Sequence, residues 1–165
     1  MPTAKRSPSM PDLKTVNDAA GLLAQAEERI GKHVRFVPAQ PNHWHAVFSG
    51  GGGFRLEWSG PWRRLVMTAA LGVPPAAGER SALNLALTYN ALWRQIGNLR
   101  IARDREDGEL ILIGELGSAH AQPAIFGVAL LHFESLRRWW GEALSHARDP
   151  ISRPPPPPNL WAGRV

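Results

Sequence analysis

The chain has 165 residues and a mass of 18.1 kDa, which leaves room for one domain and short tails. It is 44% hydrophobic and 20% charged, with no apolar run near the ~20 residues that a membrane-spanning helix needs, and residues 1–14 lack the apolar stretch of a secretory signal. The absence of cysteine excludes disulfides, thiolate metal sites and thiol nucleophiles, and favours a cytoplasmic location.

The charge is spread unevenly along the chain. A net charge of +5 and a pI of 10.7 would favour nucleic acid or an anionic surface as partner. Residues 1–14 contribute +2 of this charge and residues 149–165 contribute +1, so residues 15–148 carry only +2, with both signs interspersed. The basic pI therefore partly describes the two tails.

Three regions are expected. Residues 1–14 are rich in Pro, Ser, Thr and Lys and are predicted to be a disordered tail. Residues 15–148 are predicted to form a single domain. Residues 149–165 contain the run Pro154–Pro158, which favours an extended polyproline II tail or, alternatively, a ligand for a proline-recognition domain.

The domain is predicted to open with a helix over residues 16–30. Thr15 and Asp18 have the spacing of a capping box, and Gly31 supplies the stop. Residues on one stripe of this helix are apolar: Ala19, Leu22, Leu23, Ala26 and Ile30.

A two-residue period then predicts strands at 34–36, 44–48, 54–58 and 64–71. The glycines of Gly50–Gly53 indicate a flexible hairpin turn, and Gly60-Pro61 a second turn. Clean alternation is typical of an antiparallel meander with one face buried.

The helical period returns at Ser81 and runs to Ile96, with Gly97 as the stop. A hairpin over 99–103 and 110–113 follows, and Pro123 opens a last helix that reaches about residue 147. The buried stripe of that helix is predicted to comprise Ile125, Ala129, His132, Phe133, Leu136, Trp140 and Ala143. The fold class is α+β: helix, three to four strands, helix, two strands, helix, with the sheet covered by helices.

The middle helix has an unusually wide apolar arc. It spans about 220°, roughly twice the ~100° stripe that covers one sheet face. We therefore predict burial on two sides and a homodimer through this helix, with a broad core helix as the alternative. The predicted dimer contacts are Leu85, Tyr89, Leu92, Trp93 and Ile96.

No catalytic or cofactor motif is found, so neither enzyme activity nor a cofactor is expected. His43 and His45 lie on one strand face, which is compatible with a metal site but more typical of solvated histidines. The seven tryptophans favour protein interaction. Trp62-Arg63-Arg64 and Arg137-Arg138-Trp139 leave single-stranded nucleic acid as an alternative ligand.

The order of elements and three stretches resemble the class I type III secretion chaperones, the CesT/Tir-chaperone-like family. The stretches are residues 64–74, residues 82–93 with Asn90 at the position of a recurrent helix asparagine, and residues 99–112 with their acidic turn. The resemblance implies a bacterial, cytosolic homodimer without enzymatic activity. Such a dimer binds the N-terminal segment of a secreted effector and holds it partly extended for export.

On that reading, client contacts are expected on the first helix and the meander, at Leu22, Leu23, Phe48, Phe54, Leu56 and Trp58. The same side chains suit a core face beneath the helices, and that alternative remains open. The YbjN-like bacterial proteins, with a regulatory protein-interaction role, are a second family of similar α+β pattern.

Overall fold

The computed structural model describes residues 13–106 and 108–146. The predictions for the proline-rich tail and for most of the N-terminal tail lie outside the described residues. Leu13 is described, and its side chain is 1% exposed in the core. The packed unit therefore includes a residue that the sequence assigned to the tail.

The predicted first helix is confirmed as α1 (Val16–Ile30). Its capping box is formed: the Asp18 amide donates to Oγ1 of Thr15, and the Asp18 carboxylate accepts from the Thr15 amide at 2.8 Å. Gly31 follows with a φ of 70°, the left-handed region that glycine enters at little cost. A short 3₁₀ turn, Gly31–His33, leads into the sheet.

Six strands form one antiparallel sheet. They are β1 (Val34–Gln40), β2 (His43–Phe48), β3 (Gly53–Ser59), β4 (Arg64–Gly72), β5 (Arg100–Arg103) and β6 (Leu110–Leu116). Their spatial order is β1-β2-β3-β4-β6-β5. The predicted meander and hairpin are confirmed, and the pairing of β4 with β6 joins them. Strands β1 and β5 are therefore the two sheet edges.

One face of the sheet is buried beneath α1 and α4 (Pro123–His146). Alternate residues of β2, β3, β4 and β6 point into this core and meet Phe126, Phe133 and Trp140 of α4. Ile125, predicted on the buried stripe of α4, is instead 39% exposed. The other predicted members of that stripe are buried. Within the described part of the chain, α1 and α4 pack on this face, and the side chains on the opposite face of β2, β3, β4 and β6 are half-buried or exposed.

The predicted middle helix is two helices rather than one. Helix α2 (Glu79–Ala91) ends at Leu92, and a single-turn helix, α3 (Trp93–Ile96), follows. The Leu92 amide bonds to the Tyr89 carbonyl, three residues back, which interrupts the four-residue ladder of an α-helix. Helix α3 is followed by Gly97, whose φ is 63°, at the stop that the sequence indicated.

Candidate protein-binding surfaces

The β5 edge of the sheet is closed by Asn90 of α2. Its Oδ1 accepts from the Ile101 amide at 2.8 Å, and its Nδ2 donates to the Ile101 carbonyl at 2.9 Å. The side-chain amide thus pairs with β5 as a neighbouring strand would. This geometry gives Asn90 a structural role: it fixes α2 against the edge strand.

The β1 edge is closed at its main-chain donors. The register of β1 with β2 directs the main-chain nitrogens of Val34, Phe36 and Pro38 away from β2. The Val34 amide bonds to the Gly31 carbonyl, the Phe36 amide donates to Oε2 of Glu27 at 2.8 Å, and Pro38 has no N–H. Periodicity gave no sign of the Glu27 contact, whereas a proline inside a strand is a known sign of an edge.

Helices α2 and α3 expose a group of large apolar side chains, which we call the α2–α3 surface. Leu87 is 67% exposed, Trp93 is 58% exposed and Leu92 is 41% exposed. Leu83, Leu85 and Ile96 are half-buried at its margins. The side of α2 that faces the core carries the small residues Ala82 and Ala86 together with Tyr89. Small residues let the helix approach closely, so the larger leucines remain at its flanks.

Tyr89, one of the predicted dimer contacts, lies in the core. It is 4% exposed and packs edge-on against Trp140 with ring centroids 5.4 Å apart. Its hydroxyl has no hydrogen-bond partner among the described residues, and burial raises its pKa to about 12. Tyr89 therefore stabilises the contact between α2 and α4, and a second chain cannot reach its ring.

The six predicted client contacts are also core residues. All have an exposed fraction below one tenth: Leu22, Leu23, Phe48, Phe54, Leu56 and Trp58. Leu22 and Leu23 face the core from α1, and the other four lie on the covered face of the sheet. A client would reach them only if α1 or α4 moved away from the sheet. The structure thus favours the alternative that the sequence left open, a core face beneath the helices.

The uncovered face of the sheet is mixed in character. A shallow depression of about 560 Å³ lies over β2, β3, β4 and β6, with His45, Val47, Arg55, Ala70 and Ile111 in its lining. At one end of this face Glu115 is bonded to both Arg64 and Arg100. Burial raises the pKa of Glu115, but the hydrogen bonds from Arg100 and Arg64 outweigh it and hold that pKa below its usual range.

The Arg137-Arg138-Trp139 run is used inside the fold. Glu134 is buried and accepts hydrogen bonds from both arginines at 2.7 Å. Their guanidinium groups lie over the β2–β3 turn, where a methyl group on Gly52 would come within 2.5 Å of Nη2 of Arg137. Trp139 packs edge-on against Trp140. These side chains are therefore not a free stacking platform for bases.

Among the described residues, His43 and His45 belong to no group that could hold a metal ion. Within residues 13–106 and 108–146 no group of three or more His, Asp or Glu side chains is placed to hold a metal ion. Nδ1 of His43 is 2.8 Å from the Pro41 carbonyl, and its Nε2 is 3.5 Å from the Glu57 carboxylate. No helix in the described part of the chain is long and apolar enough to cross a bilayer.

The fold resembles that of chains in two solved complexes. In the crystal structure of the ExsC–ExsE complex, one chain matches with a TM-score of 0.63 and 19% identity, over 81% of this chain and 96% of that chain. In the structure of the HopA1–SchA chaperone–effector complex, the TM-score is 0.61 at 14% identity, over 78% of this chain and 96% of that one. At these identities the likeness establishes the fold. No curated protein sequence matches significantly.

Sequence comparison then gives the family. The sequence model of the Tir chaperone protein (CesT) family matches residues 51–140, which is more than half of the chain. The chain belongs to the Tir chaperone protein (CesT) family.

Proposed function

We propose that this protein is a type III secretion chaperone, which binds the N-terminal segment of a secreted effector and holds it partly extended for export. Membership of the Tir chaperone family carries this proposal. The two complexes whose chains share the fold support it, because one is a chaperone–effector complex by name. In this proposed role the protein acts in the cytoplasm and catalyses no reaction.

The physical requirements of such binding suit this chain. An extended client loses conformational entropy when it is ordered, so it needs a large surface with apolar anchor points and main-chain partners. A two-fold dimer offers two copies of each surface. Leu87, Leu92 and Trp93 provide exposed apolar area on α2 and α3 that a second copy would bury.

We propose that the homodimer forms through this α2–α3 surface. The sequence placed Leu85, Tyr89, Leu92, Trp93 and Ile96 in the contact. Leu92 and Trp93 keep that role in the proposal, Leu85 and Ile96 lie at its margins, and Leu87 replaces the buried Tyr89. The guanidinium group of Arg94 lies over the Trp93 ring, with its Cζ 4.5 Å from the ring centroid. The Trp93 side chain nevertheless remains 58% exposed.

A matched pair of variants tests the dimer. Leu87→Glu introduces a charge on the α2–α3 surface, while Val128→Glu makes the same kind of change on α4, at a residue 62% exposed against 67% for Leu87. Light scattering during gel filtration should give twice the 18.1 kDa chain mass for wild type and Val128→Glu, and a monomer for Leu87→Glu. A Leu87→Glu protein that stays dimeric, or a wild type that is monomeric, would exclude this interface.

The function is tested by capture from the native cells with the full-length, tagged chain. We expect one larger protein to be retained through its N-terminal segment and lost when that segment is deleted. Recovery of the homodimer alone, or of nucleic acid that salt removes, would contradict the proposed function.

A further inference from the structure

We propose that Glu27 is a gate on the β1 edge: its carboxylate occupies the main-chain donor that an extended client strand needs, and the client must displace it to pair. This inference rests on the proposed function and specifies how the client's main chain gains access. It concerns the edge strand and the last turns of α1, and is independent of the α2–α3 surface.

Strand β1 has few main-chain donors that a new strand could use. In an antiparallel ladder each outward-facing residue directs both its amide and its carbonyl to a new strand. Of the three outward-facing residues, Val34 has its amide bonded within a turn and Pro38 has none. Phe36 is the remaining donor, and Glu27 holds it at 2.8 Å. Release of one side chain therefore restores the single donor in the middle of this edge.

The Glu27 side chain borders an open depression at the start of β1. A depression of about 640 Å³ runs between α1 and β1, and Glu27 and Val34 are both in its lining. Lys32 and Arg35 line the same depression. A peptide strand lying there has its main chain beside β1 and its side chains alternately toward α1 and toward solvent.

The two edges differ in how firmly they are closed. At β5, Asn90 satisfies both the amide and the carbonyl of Ile101, so an incoming strand finds neither group. At β1, Glu27 satisfies the amide of Phe36 and, being a carboxylate, donates nothing to its carbonyl. Glu27 is half-buried, and its side chain borders the depression between α1 and β1. The β1 edge is therefore the one that opens.

A closed edge also has a use before the client arrives. An unpaired edge strand recruits strands from other copies, and proteins commonly protect such edges with proline or charge. Pro38 and Glu27 combine both devices on β1. The gate thus limits strand pairing between copies until a client displaces the Glu27 carboxylate from the Phe36 amide.

Two variants of the full-length chain distinguish loss of the Glu27 contact from a general change in the fold. Glu27→Gln keeps a side-chain carbonyl that accepts from Phe36 and serves as the matched control, whereas Glu27→Ala removes the acceptor. By amide hydrogen exchange, Phe36 should be protected in wild type and in Glu27→Gln, and should exchange at least tenfold faster in Glu27→Ala. The amides of Arg35 and Val37, which face β2, should be unchanged in all three.

Two further readouts test the role of the open edge. In sedimentation velocity, Glu27→Ala should form concentration-dependent species larger than those of Glu27→Gln, with a second copy acting as the added strand. Glu27→Ala should also bind the N-terminal segment of the captured protein about fivefold more tightly, since no hydrogen bond has to be displaced. The gate is refuted if Phe36 stays protected in Glu27→Ala, or if that variant matches Glu27→Gln in both self-association and segment binding. If no client is captured, the proposed function fails, while exchange and self-association still decide the gate.

Discussion

Removal of the half-buried Asn90 side chain should destabilise the protein more than its position on a helix flank suggests. Asn90→Ala eliminates two hydrogen bonds to Ile101, of 2.8 Å and 2.9 Å, on the edge strand β5. Each such bond contributes about 1 kcal/mol net, and both main-chain groups of Ile101, a buried residue, are left without their partner. Alanine returns about 0.5 kcal/mol in helix propensity. We therefore expect a loss of about 2 kcal/mol in the free energy of unfolding.

Asn84→Ala is the matched control for this experiment. It makes the same chemical change in the same helix at an exposed position, so it should leave stability unchanged or raise it by about 0.5 kcal/mol. Urea unfolding at one fixed protein concentration measures both variants, and Asn90→Ala should lower the midpoint with an unchanged m-value. Near-equal midpoints for the two variants would refute the assignment of Asn90 as the closure of the β5 edge.

Tyr89 and Glu115 should each give the protein's stability a measurable pH dependence. Tyr89 is the one tyrosine in the sequence, and burial raises its pKa to about 12, so phenolate absorbance should stay absent near pH 10–11 in the native protein. The contribution of the neutral, buried Tyr89 to stability is complete below about pH 10 and is lost as the pH rises from there through about 12. Ionisation at the usual pH of a free tyrosine would contradict its burial. Arg100 and Arg64 hold the pKa of Glu115 below its usual range despite burial, so its contribution to stability is complete above the usual glutamate pKa and is lost as the pH falls through the lowered native value. Glu115→Gln should lower the urea midpoint at neutral pH. Between about pH 5 and pH 3 the midpoint should fall less steeply in this variant than in wild type. An equally steep fall in both proteins would contradict this role of Glu115.

Local sequence signals predicted the elements well. Thr15 and Asp18 located the start of α1 because a capping box depends only on residues three apart. Alternation located β2, β3 and β4, since neighbours along a strand face opposite sides of the sheet. The family resemblance, carried by the β4 strand, the middle helix and the hairpin, is confirmed by the family match over residues 51–140.

The contact surfaces were harder to predict, because burial depends on residues far apart in the chain. Alternation showed that Leu56 and Trp58 share a face, but only the docking of α1 and α4 decides that this face is core. The apolar arc of the middle helix was correctly recognised as wide. The side of this helix that faces the core was not predicted, since Ala82 and Ala86 face the core while Leu87 is exposed.

The closure of the sheet edges shows the same limit. Glu27 and Phe36 are nine residues apart and belong to different elements, as do Asn90 and Ile101, which are eleven apart. No periodicity within an element links such pairs. The resemblance marked Asn90 as a recurrent residue, and the structure supplies its physical reason.

The proposed function requires that this chain bind a secreted protein through that protein's extended N-terminal segment. The most direct test is calorimetric titration of the purified full-length chain with the isolated N-terminal segment of the captured protein, and in parallel with the same protein lacking that segment. We expect saturable binding of the segment, with a negative heat-capacity change from buried apolar surface, and no binding of the truncated protein. Binding of the truncated protein, with none by the segment, would contradict it.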